Sequence, residues 1–466
     1  MRYISTRGNA PVRDFAGVLL AGLAEDGGLY MPETWPQFSP DDWRALRGLP
    51  YPIMAARVLA PFTAGSIDHA TLERLCIEAY AGFGHPAIVP LVQLDQELFT
   101  QELFHGPTLA FKDMAMQLLG RLFDHVLREQ DRRVTIVGAT SGDTGSAAIE
   151  ACRDRERLQV VILHPLGRTS EVQRRQMTTV LSPNIANLAV HGSFDDCQDL
   201  VKAMFADIPF RTDMQLSAVN SINWARVAAQ IPYYVAAALA LGAPDRPVSF
   251  AVPTGNFGNV LAAWAARQMG LPVARLSIGA NTNDILTRFL SGNDMTMRDV
   301  VPTLSPSMDI QVSSNFERLL FELLGRDASA CASIMTGFRR DGRMAVPDAV
   351  WRDATALFHG LTLDDAQTES EIRHLHATTG YLADPHTAIG IAAARAGRLP
   401  GVPTVAMATA HPAKFPDAIR AATGISPALP PRLADLYERE ERYRVVANRL
   451  DAVEDAVRAA VLKNAA

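Results

Sequence analysis

Apolar positions along this chain follow two rhythms. Met114, Leu118, Leu119, Leu122, Phe123, Val126 and Leu127 recur at three- and four-residue spacing. That predicts an amphipathic helix beginning at Lys112 or Asp113, with Asp113 well placed against the positive end of the helix dipole. Short β-branched runs follow. Residues 133–138 (RVTIVG), 159–163 (QVVIL), 248–252 (VSFAV), 275–279 and 404–408 (TVAMA) read as strands, with weaker ones at 186–190 and 214–219. Between them the pattern predicts helices at 146–152, from Ser193 with Asp196 in a capping-box-like start to 205, at 223–241, at 260–269 and from about Ala413. Strands alternating with helices predict parallel sheets in a doubly wound α/β architecture.

The first stretch is different. Residues 1–95 carry helical patterning broken by Pro and Gly, including a capped helix after Ser66, and read as a small α-rich N-terminal domain. Residues 96–430 read as two α/β subdomains, the smaller over about 120–225 and the larger from the flanking segments. Residues 431–466 are charged, helical in pattern and read as a C-terminal tail. At 466 residues the chain exceeds the size at which a single core stops growing, so two or three domains are expected.

Composition narrows the class. A hydrophobic fraction of 48% and a charged fraction of 20% are those of an ordinary globular protein. Net charge is −6 with both signs scattered, which argues against a nucleic-acid footprint. Cys76, Cys152, Cys197 and Cys331 form no CxxC pair, and His374 with His376 has no further ligand in pattern, so neither disulfides nor a metal site is expected. The N-terminus lacks the apolar stretch of a signal peptide. The run 235–243 (VAAALALGA) is too short to span a bilayer and reads as a buried helix. The expectation is a cytoplasmic protein without membrane partners, a monomer or a small homo-oligomer.

Candidate chemistry begins at residues 102–113, ELFHGPTLAFKD, a turn-rich segment that delivers Lys112 to the start of a helix in apolar surroundings. Such a lysine is either a snorkelling surface residue or a desolvated amine with a lowered pKa, suited to Schiff-base chemistry. Three loops at strand ends bear on the choice, because ligands in open α/β sheets sit beyond the carboxyl ends of strands. In GATSGDTGSAA, 138–148, glycines expose N–H groups at a helix N-terminus and Thr140, Ser141 and Thr144 add hydroxyls, which suits a carboxylate or phosphate; a tight strand-to-helix turn is the alternative. In VPTGNFGNVLAA, 252–263, Gly255 and Gly258 bracket Asn256 and Phe257, and Asn259 opens the next helix, which suits a phosphate monoester. In MATAHPAKF, 407–415, Thr409 ends a strand, with His411 and Lys414 just beyond. No GxxxxGK[ST] run is present, so a P-loop is not supported. A special lysine and a phosphate cradle without a Walker or metal pattern are the requirements of pyridoxal phosphate.

These segments, in this order and with the opening MRYISTRG, the GGLYMP turn, NSINWARVAAQIPYY (220–234) and TLSPSMDI (303–310), resemble the threonine synthases, fold-type II pyridoxal-phosphate enzymes, in their long form with an N-terminal domain. The resemblance implies a carbon–oxygen lyase that converts O-phospho-L-homoserine and water to L-threonine and phosphate by γ-elimination and β-addition of water. Lys112 would bind the cofactor and shuttle protons. Gly255, Asn256, Phe257, Gly258 and Asn259 would hold the cofactor phosphate, Asp143 would lie near the cofactor's ring oxygen, and Thr409 would face the pyridine nitrogen. Thr140, Ser141 and Thr144 would take the substrate carboxylate, and Arg226 and Lys414 the substrate phosphate. His105, Ser221, Asn223 and Asp309 are further pocket candidates. Asp143 is awkward, since many fold-type II enzymes carry Asn there and a carboxylate beside a substrate carboxylate needs compensation. Two alternatives stand beside this reading: a phospho-lyase that releases a keto acid, and a non-catalytic ligand-binding protein on the same scaffold.

Overall fold

The computed structural model describes residues 1–140, 142–217 and 220–462. Its β-branched runs build two sheets. The larger has the strand order Phe358–Thr362, Val273–Ala280, Val248–Pro253, Thr404–Ala408, Leu98–Glu102, Leu91–Gln93, parallel throughout except for the last pair. The smaller is parallel throughout, in the order Arg444–Val446, Ile185–Val190, Leu158–Pro165, Val134–Ala139, Leu216–Ser217. Both sheets bury both faces, which is why their strands read as continuous apolar runs rather than alternating ones. Phe250 and Val252 enter one core with Val260 and Leu261, while the intervening Ala251 enters another with Ala388 and Ile391. Likewise Val160 and Ile162 face one core, and Val161 and Leu163 pack with Leu188, Met204 and Phe210 on the other side.

The helix expected from Lys112 runs Lys112–Glu129, and the Ser193–Asp196 capping box is present at the start of Phe194–Ala206. Other elements differ from expectation. The single helix expected at 223–241 is two, Trp224–Ala228 and Ile231–Ala240, because Pro232 has no N–H to continue the ladder and instead sits in the first turn of the second. The strand expected from 214 begins only at Leu216 and includes Leu216–Ser217 among the described residues; Ala218 and Val219 lie outside them. At Ala413 there is only a 3₁₀ turn, Pro412–Lys414, before Pro416–Thr423 forms a helix. The C-terminal tail is not simply helical. Its strand Arg444–Val446 extends the smaller sheet, and helix Leu450–Leu462 buries Val453 and Val457 against that sheet's core.

Residues 1–80 hold the antiparallel pair Tyr3–Ser5 and Tyr30–Pro32 and the helices Phe15–Ala21, Pro40–Ala45, Tyr51–Thr63 and His69–Tyr80. This region shares a core with the larger body. Tyr3, Trp35 and Phe62 pack around Trp224 at ring-centroid distances of 6.2, 5.8 and 5.8 Å. Arg7 pairs with Glu317 at 2.9 Å. The strand Leu91–Gln93 lies before residue 95 yet belongs to the larger sheet, so the boundary expected there cuts through that sheet. No helix among the described residues is long and apolar enough to cross a membrane.

Candidate active site

The strands end where the expected loops lie, and the chain closes them on Lys112. Phe111 N–H donates to Thr409 carbonyl at 2.8 Å and His411 N–H to Leu109 carbonyl at 3.0 Å. The lysine segment is thereby strapped to the end of strand Thr404–Ala408. The turn before the lysine is equally tight. Asp113 folds back to accept from the Thr108 N–H at 2.7 Å and hydroxyl at 2.8 Å. A Cβ on Gly106 would stand 2.4 Å from the Asp113 Cβ, so only glycine fits beside that carboxylate. Burial pushes the Asp113 carboxyl up to about 6 against these hydrogen bonds.

Lys112 is enclosed, its side chain 11% exposed. Its amine donates to Asp143 Oδ2 at 3.3 Å and to the Ser307 hydroxyl at 3.2 Å. Burial pushes the amine below its ordinary range; Asp143 opposes that shift, while Lys414 and Arg226 reinforce it. The snorkelling alternative for this residue is therefore set aside.

Asp143 opens helix Asp143–Cys152 after Gly142, whose φ of 153° lies outside the comfortable range of other residues. Asp143 Oδ1 accepts from Gln173 Nε2 at 2.9 Å and from Lys414 Nζ at 2.8 Å. Burial pushes this carboxyl up, yet Lys112, Lys414 and Gln173 together hold it well below the usual carboxylate range. The compensation that the sequence left open is thus supplied by two lysines.

Lys414 is consequently not available where it was expected. Its fully buried ammonium also donates to the Thr108 carbonyl at 2.7 Å and to Gln176 Oε1 at 3.0 Å, so with Asp143 all three of its donors are used. Arg226 is the opposite case. It is 6% exposed, its Nη1 is buried without a partner among the described residues, and burial pushes its pKa to about 10. A guanidinium held near Lys112 with a donor unmet among the described residues could pair with an anion.

The glycine loop after strand Val248–Pro253 has the features of a phosphate cradle. None of the N–H groups from Gly255 to Asn259 donates to another described residue, and they gather at the N-terminus of helix Gly258–Gln268. The carbonyls are turned away: Gly255 accepts from the Ser313 hydroxyl at 2.7 Å and Asn256 from Asn315 N–H at 3.1 Å. A Cβ on Gly255 would stand 2.9 Å from the Ser307 carbonyl. Phe257 offers the cradle only its backbone, whereas Asn259 also has a buried side-chain Nδ2 without a partner among the described residues. Phe257, at φ 63°, packs its ring on Phe316 and Phe358, and Asn259 Oδ1 is taken by Tyr233 and Tyr234.

The other expected residues divide. Thr140 Oγ1 accepts from Gly142 and Gly145 N–H, both at 3.0 Å, so it closes its own loop and has only a proton left to offer. Thr144 is half-buried beside Asp143, and Ser141 lies outside the described residues. Thr409 is buried, and its N–H donates to Thr387 Oγ1 at 3.1 Å. Asn223 is a structural cap, bonded to Leu19 carbonyl and Ala225 N–H, and His105 is tied to Glu102 at 2.7 Å. Asp309 accepts from Asn281, Asn283 and Thr303, fixing its own loop rather than lining a pocket.

Ser307, Asp384 and His386 were not anticipated. The run Asp384-Pro385 was a readable helix start, since Asp at the cap and Pro in the first turn favour one. What no pattern revealed is that His386 reaches Ser307 across 79 residues. Among the described residues no three His, Cys, Asp or Glu side chains gather as a metal site, and the four cysteines are free and buried.

Residues 2–80 match the family model described as threonine synthase N terminus, residues 84–410 that of pyridoxal-phosphate dependent enzymes, and residues 387–457 that of threonine synthase, C-terminal. The threonine synthase of Pseudomonas aeruginosa is 56% identical over 456 residues, 97% of each chain. Among solved structures, the pyridoxal-phosphate-bound threonine synthase of Brucella melitensis superposes with a TM-score of 0.98 at 52% identity, covering 99% of both chains. The yeast threonine synthase gives 0.94 at 36% identity, again over 99% of both.

Proposed function

The chain belongs to the threonine synthase family, and from that premise we propose how its residues divide the work of turning O-phospho-L-homoserine and water into L-threonine and phosphate. Its cofactor is pyridoxal phosphate. When bound, that group supplies an electron sink for negative charge developing on the substrate carbons.

The observation that carries the assignment is the enclosed Lys112 amine together with a row of five N–H groups unmet among the described residues. Lys112 is the covalent anchor and, once displaced by the substrate amine, the base and acid at Cα and Cβ. Its lowered pKa leaves more of it neutral than an exposed lysine would be, as a proton shuttle requires. The N–H groups of Gly255–Asn259 take the cofactor phosphate, where the helix N-terminus favours negative charge. Thr409, at the strand end strapped to the lysine, would offer the cofactor's pyridine nitrogen a neutral hydroxyl. Asp143 would help hold the cofactor near its ring oxygen, and it balances Lys112 and Lys414, so that the loop could admit a substrate carboxylate at Thr144 and the neighbouring N–H groups. Arg226 takes the substrate phosphate, and Lys414 is a counter-ion to Asp143. The enzyme on this reading works in the cytoplasm without nucleic acid, as a monomer or small homo-oligomer; the net charge of −6 supports the absence of a polyanion partner.

The test is spectroscopic and chemical together. Purified protein with pyridoxal phosphate is expected to show a visible absorption band that Lys112→Ala lacks, and to release threonine in step with phosphate. Keto acid in place of threonine would convert the reading to a phospho-lyase. A bound cofactor with no phosphate release would make the chain a binding protein.

A further inference from the structure

The Lys112 amine has a second partner besides Asp143, and that partner is held by His386 and Asp384, to which the proposed reaction assigns no role. Ser307 lies in the turn Pro306–Met308, and its hydroxyl accepts from the amine at 3.2 Å. Its backbone N–H donates to His386 Nε2 at 3.2 Å. The other ring nitrogen, Nδ1, lies 2.8 Å from Asp384 Oδ1. With Nε2 accepting, Nδ1 must carry the proton and donate it to that carboxylate, so Asp384 fixes one tautomer of the ring. Asp384 is fully buried and caps helix Pro385–Ala396. Its Oδ2 accepts from the Thr387 hydroxyl, which in turn accepts from the Thr409 N–H at 3.1 Å. One capping carboxylate therefore orients two opposite parts of the site, the serine on the amine and the strand-end threonine.

From the far side the same turn is pinned by Asp309, which accepts from Thr303 N–H at 3.0 Å, Asn281 Nδ2 at 2.8 Å and Asn283 Nδ2 at 3.1 Å. Ser307 is held between two polar networks, more than a turn residue needs.

A neutral amine has two N–H donors and one lone pair on a tetrahedral nitrogen. With the donors committed to Asp143 and Ser307, the lone pair is left with the one remaining direction. We infer that Ser307 is a further catalytic residue, fixing the direction of the Lys112 lone pair, and that His386 and Asp384 are positioning residues that hold Ser307 to that task. This rests on Lys112 being the reacting amine. A hydroxyl that accepts from the amine also favours its charged form, so removing it has two separable effects: the amine becomes easier to deprotonate, and its neutral form is aimed less well.

The experiment is the rate at which the full-length protein, freed of cofactor, captures added pyridoxal phosphate, followed by the visible band across the neutral and alkaline range. Ser307→Ala is expected to lower the pH midpoint of capture while slowing the plateau rate at high pH about ten-fold. His386→Leu is expected to move both quantities in the same direction, and His386→Gln, which keeps an acceptor for the Ser307 N–H, to restore most of the plateau. The same variants should lower kcat about ten-fold with little change in KM. Lys112→Ala, which captures nothing if the lysine assignment holds, is the control that separates failure of that assignment from failure of this one. A Ser307→Ala protein with wild-type melting behaviour and an unchanged midpoint and plateau would overturn the role of Ser307. Wild-type behaviour of both His386 variants would overturn the positioning role.

Discussion

At the scale of single residues, the site turns on which cations are already satisfied. Lys414 and Arg226 look alike in sequence, each a basic residue in a motif segment. Burial separates them. Lys414 spends every donor inside the fold, on Asp143, Thr108 and Gln176, whereas Arg226 keeps Nη1 unpartnered among the described residues. Arg226→Ala is therefore expected to raise KM for phosphohomoserine about ten- to hundred-fold, the range for a hydrogen bond to a charged group, with cofactor affinity little changed. Lys414→Met should act differently, leaving Asp143 with one lysine fewer and reducing kcat and cofactor retention more than KM. Steady-state kinetics on the two variants decide the point, and an unchanged KM in Arg226→Ala would end its role as phosphate ligand. The sequence could show Lys112 and Asp143 because their motifs are contiguous. It could not show that Lys414 and Asp143 are partners across 271 residues of chain.

At the scale of elements, the legible ones were those whose signals are local. Strands at 134–139, 158–165 and 248–253 declared themselves by β-branched runs between turns, and the helix after Ser193 by its capping box. The segment carrying Ser307 has no such signal. It is ordered by Asp309 gathering Asn281, Asn283 and Thr303, partners that only the fold brings together. Asp309→Ala should leave the Thr303 N–H unpaired and take one acceptor each from Asn281 and Asn283, which keep others, and cost about 1–3 kcal/mol of stability, read from denaturant midpoints. If the segment exists to hold Ser307, the same variant should slow cofactor capture as Ser307→Ala does. Loss of stability with wild-type capture would confine Asp309 to the scaffold. The edge strand Arg444–Val446 was missed for a related reason: three exposed-to-buried residues in a charged tail acquire strand character only from their pairing with Ile185–Val190.

At the scale of the whole molecule, the lysine segment is clamped between the larger sheet and the C-terminal region, and the clamp contains a titratable group. His411 follows the strand-end Thr409, donates its N–H to the Leu109 carbonyl and packs its ring edge-on against Phe104. Burial pushes its pKa down to about 4, His105 and Arg432 push the same way, and Glu102 and Asp384 oppose. An unfolded histidine titrates near 6.5. Between these two values the unfolded chain binds a proton that the folded chain refuses, so stability is full above about pH 6.5 and declines as pH falls toward about 4. Asp143 does not share this window. Its folded pKa lies well below 3.8, so the stability its ion pairs contribute is retained until the solution is more acidic still. Denaturant midpoints at about pH 7 and about pH 5 should therefore differ for the wild type, and the acid loss should be smaller in His411→Gln, which cannot titrate; His164 and His359, also pushed down by burial, add to the loss, and Asp113, pushed up to about 6, opposes it. If the variant keeps the full difference, the acid sensitivity belongs to another group. If it narrows the difference, His411 in the strap that holds Lys112 against Thr409 contributes to the loss of stability in mild acid, at a higher pH than the Asp143 ion pairs beside it.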